Sequence, residues 1–135
     1  MKPELEKLAR HRLARAKDAF GEGEHLLAQK SYMGAVNRFY YAAFYAARAL
    51  LAVQELDSSR HSGVISLFQK HFVKAGLFAA EIAKALPRAF EKRQKSDYGD
   101  FSTVTAREAR GIREEVKVFM DECAGVPEKL LTEEE

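Results

Sequence analysis

The sequence predicts an all-α protein, an antiparallel four-helix bundle with an additional short helix. Two patterns carry that reading. Apolar residues recur at three- and four-residue intervals along each long segment, the spacing that lines one face of a helix. The connections between those segments are only a few residues long, which makes consecutive helices antiparallel neighbours. A third observation places one helix at the centre. The stretch from Tyr32 to Leu51 is apolar on more than one side, with Val36, Tyr40, Ala43, Ala47 and Leu50 on one face and Phe39, Ala42, Ala46 and Ala49 extending it. A surface helix needs a single apolar stripe, so this helix is expected to be covered on several sides. Its alanines permit close approach and its rings fill the space between helices.

The first helix is expected from about Glu4 to Ala28, with Leu5, Ala9, Leu13, Ala16, Phe20 and Leu27 as its apolar stripe. Gly21 and Gly23 weaken it by up to about 1 kcal/mol each relative to alanine, which marks a bend or a close approach of another helix. Lys30-Ser31 reads as the connection, with Ser31 as the cap of the second helix. That helix is expected to end near Leu56, before a turn at Asp57-Ser58-Ser59-Arg60 in which Ser58 or Ser59 caps the next element. The short third helix runs from about His61 to Val73, burying Val64, Leu67, Phe68 and Phe72, and Gly76 terminates it.

Phe78, Ile82, Ala85 and Leu86 begin the fourth helix, and Pro87, lacking an amide donor, kinks or restarts it. Beyond the proline, Phe90, Arg93 and Asp97 continue the same side, so an apolar stripe turns charged. Tyr98-Gly99-Asp100 ends the element. The fifth helix opens on a capping box, Thr105 to Glu108, and its stripe of Ala109, Ile112, Val116, Phe119 and Cys123 runs down to Gly125 and Pro127. A single domain over residues 1–125 follows, with an acidic C-terminal tail over 126–135, of which Leu130 to Glu135 is expected to fray. Apolar surface left on so small a bundle points to a homodimer.

Composition excludes several function classes. No apolar run approaches the length of a membrane span, and the amino terminus lacks the apolar run of a secretion signal, so the cytoplasm is the expected compartment. Cys123 is the single cysteine and lies on an apolar stripe, which suits a buried thiol. His11, His25, His61 and His71 are scattered without metal-ligand spacing, and neither a phosphate-cradling glycine loop nor a nucleophile elbow occurs. No metal, cofactor or DNA-specific motif is expected. The net charge is only +2, but it is uneven: Lys2, Lys7, Arg10, Arg12, Arg15 and Lys17 crowd the start, and acidic residues dominate from Glu114 onward. Such asymmetry steers a polyanion or a charged protein, and a solvated helix face explains it equally well.

Candidate chemistry centres on Arg93, Asp97 and Tyr98. Arg93 and Asp97, four apart on one helix, pair at a partly buried position, and a buried charge needs a partner or a ligand. They read either as a structural ion pair or as an anion or nucleotide site in which Arg93 contacts phosphate, Asp97 orients it and Tyr98 adds its hydroxyl or ring. Asn37 sits among small and aromatic residues, where its amide requires a hydrogen bond to a neighbouring helix or a ligand. Tyr40, Tyr41 and Tyr45 serve packing more readily than base stacking. His61 opens the short helix, where free amides and a titratable ring hold an anion or simply end the turn.

The ordered segments NRFYYAAFYAARALL, HSGVISLFQKHFVKAG and FEKRQKSDYGDF, followed by a terminal helix, resemble the HEPN domain family. The resemblance spans Leu5 to Cys123 and implies a four-helix core and a homodimer. It also implies pairing with a minimal nucleotidyltransferase, as half of a toxin–antitoxin module, and ATP or RNA as a ligand. The active branch of the family consists of metal-independent endoribonucleases carrying an arginine followed, after four to six residues, by a histidine. Arg93 matches that arginine in an R-x-x-x-D-Y form, and Asp97 and Tyr98 fill the positions after it, but no histidine occurs at the required distance. Tyrosine and aspartate titrate far from neutrality, so they do not replace imidazole as a proton acceptor. The resemblance therefore implies a binding partner rather than a catalyst. A ribonuclease built from Arg93, Tyr98 and His61 is the alternative, and a purely structural dimer the third reading. Related pairs modify a tyrosine of the HEPN protein, for which Tyr98 is the candidate.

Overall fold

The computed structural model describes residues 2–99, 101 and 103–134, with side chains described as far as Val126 apart from the gaps. Its helices are α1 (Pro3–Ala28), α2 (Tyr32–Val53), α3 (His61–Phe68), α4 (Ala80–Ala83), α5 (Ala85–Tyr98) and α6 (Ala106–Glu134), and a π-helical turn over Gln69–Val73 continues α3. No strand occurs among the described residues. The fold is an all-α bundle. As its composition requires, α2 is the central element: it packs against α1, α3, α5 and α6. Phe39, Tyr40, Leu50 and Leu51 are sealed from solvent. Burying a side chain such as Phe39 or Leu50 contributes about 1.5–3 kcal/mol.

Each long helix is fixed by local features of its sequence. The close approach expected on α1 occurs at Gly23, where an added Cβ would meet the ring of Phe39 at 2.6 Å. Phe39 also packs on Phe20, ring centres 5.2 Å apart, which locks α1 to α2. A second ring cluster, Phe68, Phe72, Phe78 and Phe119, joins α3 and its π turn to α6. The capping box of α6 forms in both directions: the Thr105 amide donates to Glu108 Oε1 and the Glu108 amide donates to Thr105 Oγ1, each at 3.1 Å.

Four boundaries differ from the sequence expectation. Ser31 stands at the N-cap of α2, but its hydroxyl makes no capping bond; the Ser31 amide instead donates to Leu26 O at 2.9 Å, closing α1. The second helix stops at Val53 rather than near Leu56, because Glu55 turns left-handed (φ 57°) and the Leu56 amide folds back to Leu51 O. The fourth segment breaks at Lys84 rather than at Pro87. Pro87 lies in the first turn of α5, where its missing amide has no partner to lose. The last helix passes Gly125 and Pro127 and continues to Glu134, held at that point by the buried side chains of Cys123 and Val126. Asp100, placed at the end of the α5 segment, lies outside the described residues.

Candidate functional site

One face of α2 is not roofed by another long helix. Asn37, Arg38, Tyr41, Tyr45 and Arg48 lie along it, half-buried, at the spacing of successive turns. The end of α5 and the start of α3 flank this face, and their polar side chains turn onto it. The result is a cluster of Asn37, Tyr40, Tyr41, His61, Arg93 and Asp97.

Arg93 is its centre. The guanidinium carbon sits 5.7 Å from the ring centre of Tyr40 and 5.5 Å from that of Tyr41, a cation–π arrangement with two rings at once. Its Nε lies 2.9 Å from Asp97 Oδ2. That nitrogen is buried, and its N–H does not point along the line to the carboxylate. The pair is thus an electrostatic contact more than a well-aligned hydrogen bond. Asn37 Nδ2 donates to the same Asp97 oxygen at 3.4 Å, so the amide expected to bond a neighbouring helix reaches α5. Arg93 is 15% and Asp97 28% exposed.

His61 enters from the other side. Its Nδ1 is 2.7 Å from the Tyr40 hydroxyl and its ring stacks on Phe44 with centres 4.4 Å apart. The imidazole is also within 5.6 Å of the Tyr40 ring centre and 5.8 Å of the Tyr41 ring centre, so His61 and Arg93 share both tyrosines. Burial lowers the His61 pKa, and the positive charges of Arg93 and Arg48 lower it further, which keeps the ring neutral at pH 7. Burial raises the Tyr40 phenol, against the opposing pull of Arg93, so its proton stays in place.

The rest of the face is arginine and aromatic ring in alternation. Arg38 covers Tyr41 and meets Glu22, Arg15 covers Tyr45 and donates to its hydroxyl, and Arg48 lies over Phe44 while pairing with Asp57. Tyr98, the residue after Asp97, stands apart from the cluster, 71% exposed at the end of α5. Sequence reasoning named Asn37, Arg93, Asp97 and His61 but treated the tyrosines as packing. Tyr40 and Tyr41 are the pedestal of the arginine. The signal available was the run Asn37, Tyr41, Phe44 and Arg48, polar and aromatic residues on a single helical face.

Chemically, the cluster offers a delocalised cation held over two rings, a neutral imidazole beside it and one carboxylate on its inner nitrogen. Such a set has the chemistry to receive an oxyanion. Among the described residues, no three His, Cys, Asp or Glu side chains gather closely enough to hold a metal ion, and no helix is long and apolar enough to cross a membrane.

Comparison with known proteins gives a consistent picture. Residues 9–128 match the model of the HEPN domain. A "UPF0332 protein" of Thermotoga maritima is 35% identical over 118 residues, which is 87% of this chain and 89% of that protein. Two proteins of Methanocaldococcus jannaschii also align. "Putative toxin MJ0142" is 32% identical over 89% of this chain and 79% of its own length. "Putative toxin MJ0605" is 33% identical over 78% of each.

Proposed function

The chain belongs to the HEPN domain family, and on that premise we propose that it is the HEPN half of a toxin–antitoxin-like module, binding a nucleotide or RNA phosphate at Arg93. One observation carries the reading: the Arg93 guanidinium rests on Tyr40 and Tyr41 with Asp97 on its inner nitrogen, leaving the outer nitrogens for a ligand. The toxin names of the two archaeal relatives support the module. A homodimer paired with a small nucleotidyltransferase is the assembly that fits it, with Tyr98, exposed at the end of α5, as the residue a transferase would reach.

Equilibrium binding tests the reading. ATP and a short single-stranded RNA should bind saturably at moderate salt, and Arg93→Ala should weaken binding about tenfold or more, the loss expected for a charge-assisted contact. Absence of saturable binding by the wild type leaves only a structural dimer. Intact-mass measurement after incubation with ATP and the cognate transferase tests Tyr98 separately; an unchanged mass removes the modification.

A second reading has its own support. His61, absent from the sequence position where a nuclease histidine belongs, is brought beside Arg93 by the fold and is kept neutral, as a general base must be. A ribonuclease would cleave RNA in excess chelator and lose that activity in both Arg93→Ala and His61→Ala. Cleavage that survives either substitution belongs to another protein.

A further inference from the structure

We propose that His61 makes this site proton-linked: it takes up a proton as a tetrahedral oxyanion docks on Arg93, so that affinity rises as pH falls. The inference rests on the phosphate-binding reading above and adds its regulation. The charges of the site supply the reason. Asp97 holds the inner edge of Arg93 at 2.9 Å, so an anion arriving at the outer edge meets a half-neutralised cation with a carboxylate close behind it. Asn37 binds that carboxylate through a neutral amide and adds no charge. A further positive charge would favour the bound anion, and His61 is the group placed to provide it.

The surroundings of the imidazole favour its neutral form only while the site is free of anion. From α2 it faces Tyr40, Tyr41, Phe44 and Arg48; from α5 it faces Phe90 and Arg93. Asp57, the carboxylate nearest in sequence, is engaged by Arg48 and Arg12. Asp97 is engaged by Arg93 and Asn37. Burial and the charges of two arginines thus oppose a charge on His61, and a docked dianion reverses the sign of the local field. The Tyr40 hydroxyl accommodates both states. It donates to Nδ1 of the neutral ring and, by rotating, accepts from Nδ1–H of the imidazolium. No hydrogen bond among the described residues engages Nε2, so that nitrogen is left for the ligand.

The experiment uses anions that do not titrate between pH 5 and 8, because phosphate monoesters would add their own protons. Sulfate and oligouridylate are titrated into the full chain by calorimetry across that range. The inference expects both affinities to rise toward low pH by up to about tenfold per pH unit, the limit for one linked proton. The slope should vanish in His61→Gln, whatever affinity that variant retains. Because that variant can also disturb the Tyr40 contact, NMR titration of the His61 ring in the wild type is the independent check, and saturating sulfate should raise its apparent pKa. Binding that is saturable but flat with pH, or a His61 titration unmoved by sulfate, overturns the proton linkage and leaves the binding site standing. No binding at any pH overturns the site itself.

Discussion

Gly21 and Gly23 are two residues apart on α1 and face opposite demands. Nothing lies within 4 Å of where a Gly21 Cβ would be, whereas at Gly23 it would fall 2.6 Å from a ring that is sealed in the core. Gly21→Ala should therefore raise stability by up to about 1 kcal/mol, the gain in helix propensity. Gly23→Ala should lower it by about 1–3 kcal/mol, because the strain of displacing Phe39 exceeds that gain. Chemical denaturation of the two variants checks both signs, and a stabilised Gly23→Ala would mean that α1 and α2 can slide apart. Asp57 sets a pH dependence at the same scale. Partial burial works against its charge, but hydrogen bonds from Arg48 and the Ser58 amide, with the charges of Arg48 and Arg12, hold its carboxyl below the ordinary 3.8. The folded value is depressed, so its contribution is present above about pH 4 and is lost as pH falls through the folded pKa. Asp57→Asn should lower the melting temperature at pH 7, and the gap between variant and wild type should close as the pH falls from 7 through the folded pKa. A gap that stays constant over that range would show the network contributes nothing through charge.

At the scale of elements, three helices end in the same way. The amides of Ser31, Leu56 and Leu77 fold back to Leu26, Leu51 and Phe72, and the residue before each amide turns left-handed. Only the third of those residues, Gly76, is a glycine; the others are Lys30 (φ 62°) and Glu55 (φ 57°). A non-glycine residue loses about 1–2 kcal/mol in that conformation, and glycine loses part of the advantage through its freer unfolded chain. Lys30→Gly should gain about 0.5–1 kcal/mol net and raise the melting temperature by a few degrees, measured by thermal denaturation. These stops also show why boundaries were harder to read than elements. Gly76 and the Thr105–Glu108 box announce themselves in residue type, whereas Lys30 and Glu55 carry no such mark and adopt φ > 0 because tertiary packing ends the helix there. Pro87 was legible as a kink or a restart but not as which of the two, since its effect depends on whether the preceding carbonyls already lack partners. The site divides similarly. Arg93 and Asp97 were visible from their i, i+4 spacing, while the meeting of His61 with Tyr40 joins residues 21 apart and depends on the angle at which α3 leaves α2.

For the whole molecule, the count of cations overstates the charge available to a polyanion. The net charge is +2, and most arginines on the open α2 face are already matched: Arg38 by Glu22, Arg48 and Arg12 by Asp57, Arg93 by Asp97. Arg15 differs, since its contact is the Tyr45 hydroxyl and ring rather than a carboxylate. An RNA strand laid along this face would therefore displace few counterions. A protein that neutralises Z phosphates of a single strand shows a slope of about −0.7Z in log affinity against log salt. One or two effective contacts, at Arg93 and Arg15, give a slope of roughly −1, far shallower than for a protein that grips RNA with a basic groove. Arg93→Ala should remove about 0.7 of that slope, together with the tenfold loss in affinity. Arg15→Ala should remove a similar fraction of the slope if the strand extends along α2, and leave it unchanged if the ligand is a single nucleotide confined to Arg93. Binding isotherms at four or five salt concentrations for the three proteins thus separate a nucleotide site from a strand-binding face. A steep slope insensitive to Arg93 would place the polyanion on the basic start of α1 instead, where Lys7, Lys17 and their neighbours lie, and would detach nucleic-acid binding from the cluster built on Tyr40 and Tyr41.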